Sequence, residues 1–483
     1  MNKTKVLLLS AISVTVAAMA ITYAIARGSG DAYATSLPSD ATAIARLDAS
    51  SFLSAAKLGP HDLLQLLRRS RENKGEDDAK SLGIDVKRPV YAFAAASGNF
   101  GFLAAVDDYD DLEDYLAEEH AAGRASEVTR QRGYSWVVIG EQWLLAFDGK
   151  RALLMGPAVG SAQDQLRTEM ARLLEQDAKD SGLQSALYEE LKKSDEPLSA
   201  VAAPELLPSA PRRFLRQFHV ASSNDALLRL SLETDDNELE LDIDVVAKSE
   251  VVKEGLDRLN QQLRPIKGSL LDFAHTENVA WLAVNVQGND FLNALRSNPA
   301  VRTALIALNL AFDFDRIIRA IDGDLAVELT DASLLGAMDF QFRDLYLTAK
   351  VANTDFLKDA SSWGNRLIGI QALSQQDFAL NFGTTSVYFG VDDKTFYLSG
   401  QRGLTAEGNE YLNHKRSDIQ DTRLFATFAL PEVLKQLNAW VSLPAALRQF
   451  ERLNVEMEEA GEFRLKFVAP HGMNIARELL LAE

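Results

Sequence analysis

The sequence predicts an α+β fold made of two duplicated units of antiparallel sheet with helices packed on one face. Three observations lead there. Strand-like runs follow one another through short turns, and strands so joined cannot run parallel. Phe147-Asp148-Gly149-Lys150-Arg151-Ala152-Leu153-Leu154-Met155-Gly156 returns without a gap as Val391-Asp392-Asp393-Lys394-Thr395-Phe396-Tyr397-Leu398-Ser399-Gly400. Ala203-Pro204-Glu205-Leu206-Leu207 leads to Leu215-Arg216-Gln217-Phe218, and Leu430-Pro431-Glu432-Val433-Leu434 leads in the same order to Leu447-Arg448-Gln449-Phe450. A feature of both halves reads as architecture; a feature of one half reads as decoration or function.

In the first half, residues 43–47 read as a strand. Ser50 or Ser51 caps a short helix from Phe52 that resumes over 62–69, and 71–80 is a charged loop. Apolar runs at 90–96 and 102–106 flank Gly98-Asn99, a hairpin signal. A helix follows over 110–119, then a three-strand meander over 134–138, 143–147 and 151–155. Residues 161–176 and 183–193 have helical apolar spacing. Residues 227–233 and 238–246 alternate strictly around the turn Asp235-Asp236-Asn237. A helix over 251–263 closes the half.

The second half repeats this order. A strand spans 279–284, a short helix 290–295, and Asn298-Pro299 caps a helix ending near Leu310. Strands follow at 324–329 and 345–351, then a helix over 355–367 to match the one at Asp110. The meander returns at 378–381, 387–390 and 396–399, and the late hairpin at 453–457 and 462–468. A last helix starts at Asn474. The helical segment 161–179 has no counterpart in this half. The expected organisation is an N-terminal targeting segment over 1–34 and repeat units over 35–270 and 271–483.

The chain has 483 residues, 47% hydrophobic and 25% charged, a composition able to fill packed cores. Its net charge of −19 argues against binding a polyphosphate backbone, so nucleic acid is not expected as a partner. Lys3 and Lys5 precede Val6–Ala26, a run without charge that is long enough to cross a bilayer as a helix. That order places the remaining chain on the non-cytoplasmic side of a membrane. Ala24-Ile25-Ala26 and Ala32-Tyr33-Ala34 are both small-x-small sites, so the run reads as a cleaved signal peptide or a retained anchor. Gly28 to Asp40 reads as a linker. There is no cysteine, which excludes disulfides, thiolate catalysis and zinc–thiolate sites.

Several stretches resemble a known family. They are Leu37-Pro38-Ser39-Asp40-Ala41-Thr42-Ala43, Trp281-Leu282-Ala283-Val284-Asn285-Val286, Asn298-Pro299-Ala300-Val301-Arg302-Thr303-Ala304-Leu305 and Ile321-Asp322-Gly323-Asp324. The chain resembles a domain-of-unknown-function family of envelope proteins and lipoproteins from Bacteroides-type bacteria. The resemblance implies an envelope location and is silent on activity. This chain lacks the acylated cysteine of the lipoprotein members, which leaves the N-terminal helix as its only anchor.

Four constellations invite a chemical reading. Asp107, Asp108, Asp110, Asp111, Glu113 and Asp114 have the charge of a calcium site but no glycine-bearing calcium loop. Acids at a helix start are the plainer reading, with Asp110 or Asp111 as the cap. Asp313, Asp315, Asp322 and Asp324 form a second acidic set, which would need a carboxylate pair at suitable separation to hydrolyse a glycoside. The six histidines are scattered singly, without the i, i+4 spacing of a helical metal site. Arg216 and Arg448, the arginines of the repeated Leu-Arg-Gln-Phe, are the candidate ligand or partner contacts; packing of their stems is the plainer reading. No Gly-x-Ser-x-Gly elbow and no phosphate-binding glycine loop occurs.

The sequence therefore points to a non-enzymatic cell-envelope protein that binds another protein or an apolar ligand, with its N-terminal helix in a membrane. No catalytic residue, cofactor or metal is assigned. Two other readings stay open at this stage: a periplasmic carrier of lipid or lipoprotein, and a hydrolase whose carboxylates meet only in the folded state.

Overall fold

The computed structural model describes residues 32–48, 51, 83–85, 87–131, 133–216, 219–235, 237–311, 313–331, 344–363, 369–382, 385–437 and 448–475. The fold is α+β, with antiparallel sheet throughout and several helices. The chain divides into two compact units. One ends at Val252 and takes in residues from Gly472; the other runs Lys253–His471.

The first unit contains β1 (Ala43–Leu47), β2 (Val90–Ala94), β3 (Phe100–Ala105), α1 (Tyr109–Ala121) and β4 (Thr129–Gln131). Next come β5 (Tyr134–Ile139), β6 (Trp143–Phe147), β7 (Arg151–Gly156), α2 (Gln163–Glu175) and α3 (Ala186–Leu191). β8 (Leu198–Ala202), α4 (Ser209–Leu215), β9 (Ala226–Asp235) and β10 (Glu238–Ala247) complete it, and α5 (Glu250–Gln262) carries the chain onward. The strand order is β4-β5-β6-β7-β3-β2-β1-β8-β9-β10, with every neighbouring pair antiparallel. At the β2–β3 pair, Phe93 lies over Gly101, where a Cβ would come within 2.1 Å of the ring.

Both faces of this sheet carry apolar residues, because the meander strands are apolar on both sides. Leu103, Leu144, Leu153 and Met155 pack with Leu166, Met170 and Leu173 of α2 and Leu187 of α3. Val137, Phe147 and Ala152 pack in a separate cluster with Leu112 and Leu116 of α1. Neighbours along β6 and β7 thus point to different clusters, as strand geometry requires. Helices meet both sides, where one covered face was expected.

The Gly28–Asp40 linker expectation also needs correction. Ala32–Ser36 is a 3-10 turn, and Tyr33, Ala34 and Leu37 are fully buried in the core. The segments 52–69 and 71–80, and the run Val6–Ala26, lie outside the described residues.

The second unit begins with β11 (Leu263–Arg264) and β12 (Ala280–Gln287), then α6 (Gly288–Ser297), α7 (Pro299–Ala311) and α8 (Phe314–Ala320). β13 (Ile321–Leu329), β14 (Leu345–Val351), β15 (Gly369–Ala372), β16 (Asp377–Phe382), β17 (Thr385–Asp392) and β18 (Thr395–Ser399) follow. α9 (Glu410–His414), α10 (Arg416–Asp421), β19 (Leu424–Ala429), α11 (Leu430–Leu437), β20 (Arg452–Met457) and β21 (Glu462–Val468) end it. The order is β15-β16-β17-β18-β14-β13-β12-β19-β20-β21, again wholly antiparallel. β11 pairs with the end of β12.

One face of this sheet packs Val284, Leu325, Phe389 and Phe396 with Ile317 of α8. The other packs Trp281, Ala283, Ala326 and Phe425 with Leu412 of α9 and Ile419 of α10. The helix expected over 355–367 is instead a pair of 3-10 turns, Asp355–Leu357 and Ala360–Ser362; residues 364–367 are outside the described set. Their hydrogen bonds close over three residues, as from Lys358 N–H to the Asp355 carbonyl. Phe356, Leu357 and Ala360 all turn into the core within this short segment.

Candidate functional site

The most unusual chemistry lies on the second unit's sheet, on the face that carries Trp281. Backbone register aligns Tyr346, Glu328, Trp281, Thr427, Asn454 and Lys466 in one row across β14, β13, β12, β19, β20 and β21. The next row on that face is Thr348, Ala326, Ala283, Phe425, Glu456 and Arg464. Polar and charged side chains therefore share a largely covered face with aromatic ones. Glu328, Thr427, Asn454 and Glu456 are all buried.

Residues 266–275 and the helices α9 and α10 pack on this face, and buried carboxylates hold them. Asp324 accepts from the Lys267 and Ser269 amides, each at 2.9 Å, and from the Ser269 hydroxyl at 2.7 Å. Glu328 accepts from the His275 amide at 2.9 Å and lies 3.0 Å from His275 Nδ1. The His275 ring sits with its centroid 3.9 Å from that of Tyr346. Asn409 donates to the His275 carbonyl at 2.8 Å, while its own Oδ1 caps α9. The hydrogen bond to Glu328 raises the His275 pKa, against the opposing effect of burial.

Further along, the Tyr411 hydroxyl and the Asn454 side chain are hydrogen bonded at 2.7–3.0 Å. The Arg452 guanidinium lies 4.4 Å from the Tyr411 ring centroid. Lys466 Nζ is 3.3 Å from Glu456 Oε2. Burial pushes the Glu456 carboxyl up, with Lys466 opposing it, and burial lowers the Arg452 guanidinium. Among the described residues, Oε1 of Glu456, Oγ1 of Thr427, Nη1 of Arg452 and Nε2 of His275 are buried without a hydrogen-bond partner.

Chemically, the His275–Glu328 pair is an imidazole fixed through Nδ1 by a carboxylate, able to hold a proton. Both buried carboxylates of β13 spend their oxygens on the covering segment, so fastening is what the geometry performs. No spacing rule points to these residues: His275 and Glu328 are 53 positions apart and meet only through the strand register.

The sequence candidates fall elsewhere. Arg216 is exposed just after α4, and Arg448 is exposed in the second unit, two residues before the buried Phe450. Asp108, not Asp110 or Asp111, caps α1, accepting from the Asp110 and Asp111 amides. The second acidic set does not converge as free carboxylates. Asp313 caps α8, Asp315 binds Arg296 and Asn309, Asp322 binds Arg264, and Asp324 is spent as described. Among the described residues, no group of three or more histidines and acids is placed to hold a metal ion. Among them, too, no helix is long and apolar enough to cross a membrane; that statement does not reach Val6–Ala26.

No curated protein matches this chain. Two solved structures of TP0453 align with part of it. Crystal form IV covers 44% of this chain and 79% of that chain at 12% identity, with a TM-score of 0.27. Crystal form III covers 49% and 90% at 10% identity, with a TM-score of 0.28. Scores this low carry no argument. Residues 33–412 match the model of the DUF4836 family, described as a domain of unknown function, and since that span is most of the chain, the protein belongs to this family.

Proposed function

We propose that the chain is a non-enzymatic cell-envelope protein, a binding or scaffold module made from two copies of one α+β unit over about residues 35–270 and 271–483. The observation that carries this reading is the strand order. Taken from one edge, the first unit runs β4-β5-β6-β7-β3-β2-β1-β8-β9-β10, and the second runs β15-β16-β17-β18-β14-β13-β12-β19-β20-β21. Adding eleven to each strand number of the first order produces the second. The repeated sequence at Phe147 and Val391 falls on β6–β7 and β17–β18, which hold matching places in these orders. α3 leads into β8 as α10 leads into β19.

A shared order supports descent from one unit, and it makes the sheet the retained feature. Buried carboxylates committed to packing support a scaffold over a hydrolase. The uncharged run behind Lys3 and Lys5 supports an envelope location, and Arg216 and Arg448 are exposed where a partner can reach them.

The test is a photo-crosslinking residue placed at Arg216 or Arg448 in cells, followed by fractionation. A discrete protein adduct in the envelope fraction is expected. Cytoplasmic fractionation, or no adduct from either position, removes the reading.

A further inference from the structure

We infer that the C-terminal end of α4 is a docking stripe for a carboxylate-rich segment of a partner protein. It resides in Arg212, Arg213, Arg216 and His219. This is an extension of the scaffold reading, on which it rests for the existence of a partner.

The motivating fact is a concentration of cationic groups in a chain of net charge −19. Arg213, Arg216 and His219 are exposed and Arg212 is half-buried. Arg212 and Arg213 lie in the last turn of α4, and Arg216 follows its final residue, four and three positions further on. The helix stops abruptly after them. His219 takes a left-handed φ of 62°, and the Val220 amide donates to the Leu215 carbonyl at 3.2 Å, a C-terminal capping geometry.

Cations at a helix C-terminus are favoured by its dipole, and that is the plain explanation for one of them. It does not account for the whole stripe. None of the four side chains has an ion pair or hydrogen bond among the described residues. The acids next to them are committed. Glu205 accepts from the Ser223 amide at 2.9 Å, and Asp225 accepts from the Ala221 and Ser222 amides and the Ser222 hydroxyl at 2.9–3.1 Å. Lys248, also exposed, donates to the Ser223 carbonyl at 3.0 Å and adds positive charge to the same loop.

The internal repeat sharpens the point. Aligned on Leu-Arg-Gln-Phe, Arg212, Arg213 and His219 correspond to Pro444, Ala445 and Glu451. Only the Arg216–Arg448 position keeps its charge in both halves. The stripe is therefore a property of the first half, not of the architecture.

Its shape indicates the partner. Cationic residues spread over eight positions, from Arg212 to His219, match charges spaced along an extended acidic chain better than they match one tetrahedral anion. At physiological salt the screening length is about 8 Å, so at contact the local stripe outweighs the distant negative charge of the rest of the surface.

The test is fluorescence anisotropy with the full chain and a labelled poly-glutamate peptide, against a neutral Gly/Ser peptide of equal length. Salt-sensitive binding of poly-glutamate alone is expected. The triple variant Arg212→Gln/Arg213→Gln/Arg216→Gln, shown to be folded by circular dichroism and an unchanged melting temperature, should bind about tenfold more weakly. If it is misfolded, the three single glutamine variants are measured, each expected to weaken binding severalfold. Equal affinity of folded variants, or no preference for poly-glutamate, overturns the stripe and leaves the scaffold reading standing. Arginine-dependent binding to anionic vesicles with none to the peptide overturns the choice of a protein partner. A missing cross-link from Arg216 and Arg448 bears on the scaffold reading without touching this titration.

Discussion

One carboxylate, Glu328, grips His275 twice: Oε1 takes the backbone N–H at 2.9 Å and Oε2 faces Nδ1 at 3.0 Å. The pair ties the residues that lead into β12 to the interior of β13. Its strength depends on protonation. The folded-state His275 pKa is raised, chiefly by this hydrogen bond. A group raised on folding stabilises fully below its unfolded value, near 6.5, and loses that contribution as pH climbs through the folded value. His275→Gln should therefore cost about 2 kcal/mol at about pH 5.5 and clearly less at about pH 9. Urea unfolding of both proteins at the two pH values measures it. A cost independent of pH would show that folding does not raise the His275 pKa.

Glu456 and Lys466 give a pH dependence of the same sign from a different cause. The Glu456 carboxyl is raised by burial, so the folded state binds its proton more readily than the unfolded chain. That lowers stability as pH rises from the unfolded glutamate value through the folded one. Glu456→Gln should remove this slope from the acid limb of the stability profile. Lys466→Met leaves a buried charge without its partner and should cost about 3 kcal/mol. The double variant Glu456→Met/Lys466→Met should return to within about 1 kcal/mol of the wild type, because two desolvated charges are replaced by packing. Chemical denaturation of the wild type, Glu456→Met, Lys466→Met and the double variant closes the cycle. A double variant as unstable as Lys466→Met would mean the pair itself stabilises the sheet.

Much of the sheet was legible because its turns and alternation are local. The expected meander at 134–138, 143–147 and 151–155 is observed as Tyr134–Ile139, Trp143–Phe147 and Arg151–Gly156. The late hairpin at 227–233 and 238–246 extends to Ala226–Asp235 and Glu238–Ala247, paired in unbroken register. Asp324 was read as a residue entering a strand, yet it is buried inside one, next to Gly323 at φ 144° and an irregular register with β14. The buried polar row was not legible. Its members come from six strands, and no short spacing encodes register between strands so distant in sequence. The 3-10 turns at Asp355 were missed for a related reason: matching them to α1 assumed that the repeat preserves helix type as well as strand order.

The acidic run at α1 is expected to be a cap and not an ion site. Asp108 Oδ1 accepts the Asp110 amide at 2.9 Å and the Asp111 amide at 3.1 Å. Asp108→Ala should cost about 1 kcal/mol, whereas Asp110→Asn and Asp111→Asn should cost only a few tenths. Calorimetric titration with calcium should give no binding heat. Tight binding that disappears in Asp108→Asn/Asp110→Asn would reverse this assignment.

The N-terminal boundary of the folded part can be argued from Tyr33. Its ring is buried and lies 5.9 Å from that of Tyr91, and its hydroxyl donates to the Pro89 carbonyl. The residues after it are tied as firmly. Arg151 Nη1 donates to the Thr35 and Ser36 hydroxyls at 3.0 Å each, and Gln176 Nε2 donates to the Thr35 and Leu37 carbonyls at 2.6 and 2.8 Å. A chain starting at Thr35 loses the Tyr33 ring and leaves a cavity between β2 and α3, since Tyr91 also meets Tyr188 at 6.1 Å. Relative to a chain starting at Gly30 it should be less stable by about 3 kcal/mol, the usual cost of deleting a buried aromatic side chain. Of the two small-x-small sites, Ala24-Ile25-Ala26 lies ahead of the described core and Ala32-Tyr33-Ala34 lies within it, and burial of Tyr33 chooses between them. Cleavage after Ala34 would remove Tyr33 from the core, whereas cleavage after Ala26 leaves it in place. Mass spectrometry of the mature protein should therefore find an N-terminus ahead of Tyr33, or an uncleaved chain. A mature chain beginning at Thr35, as stable as the longer one, would show that the Tyr33 site is dispensable to the fold.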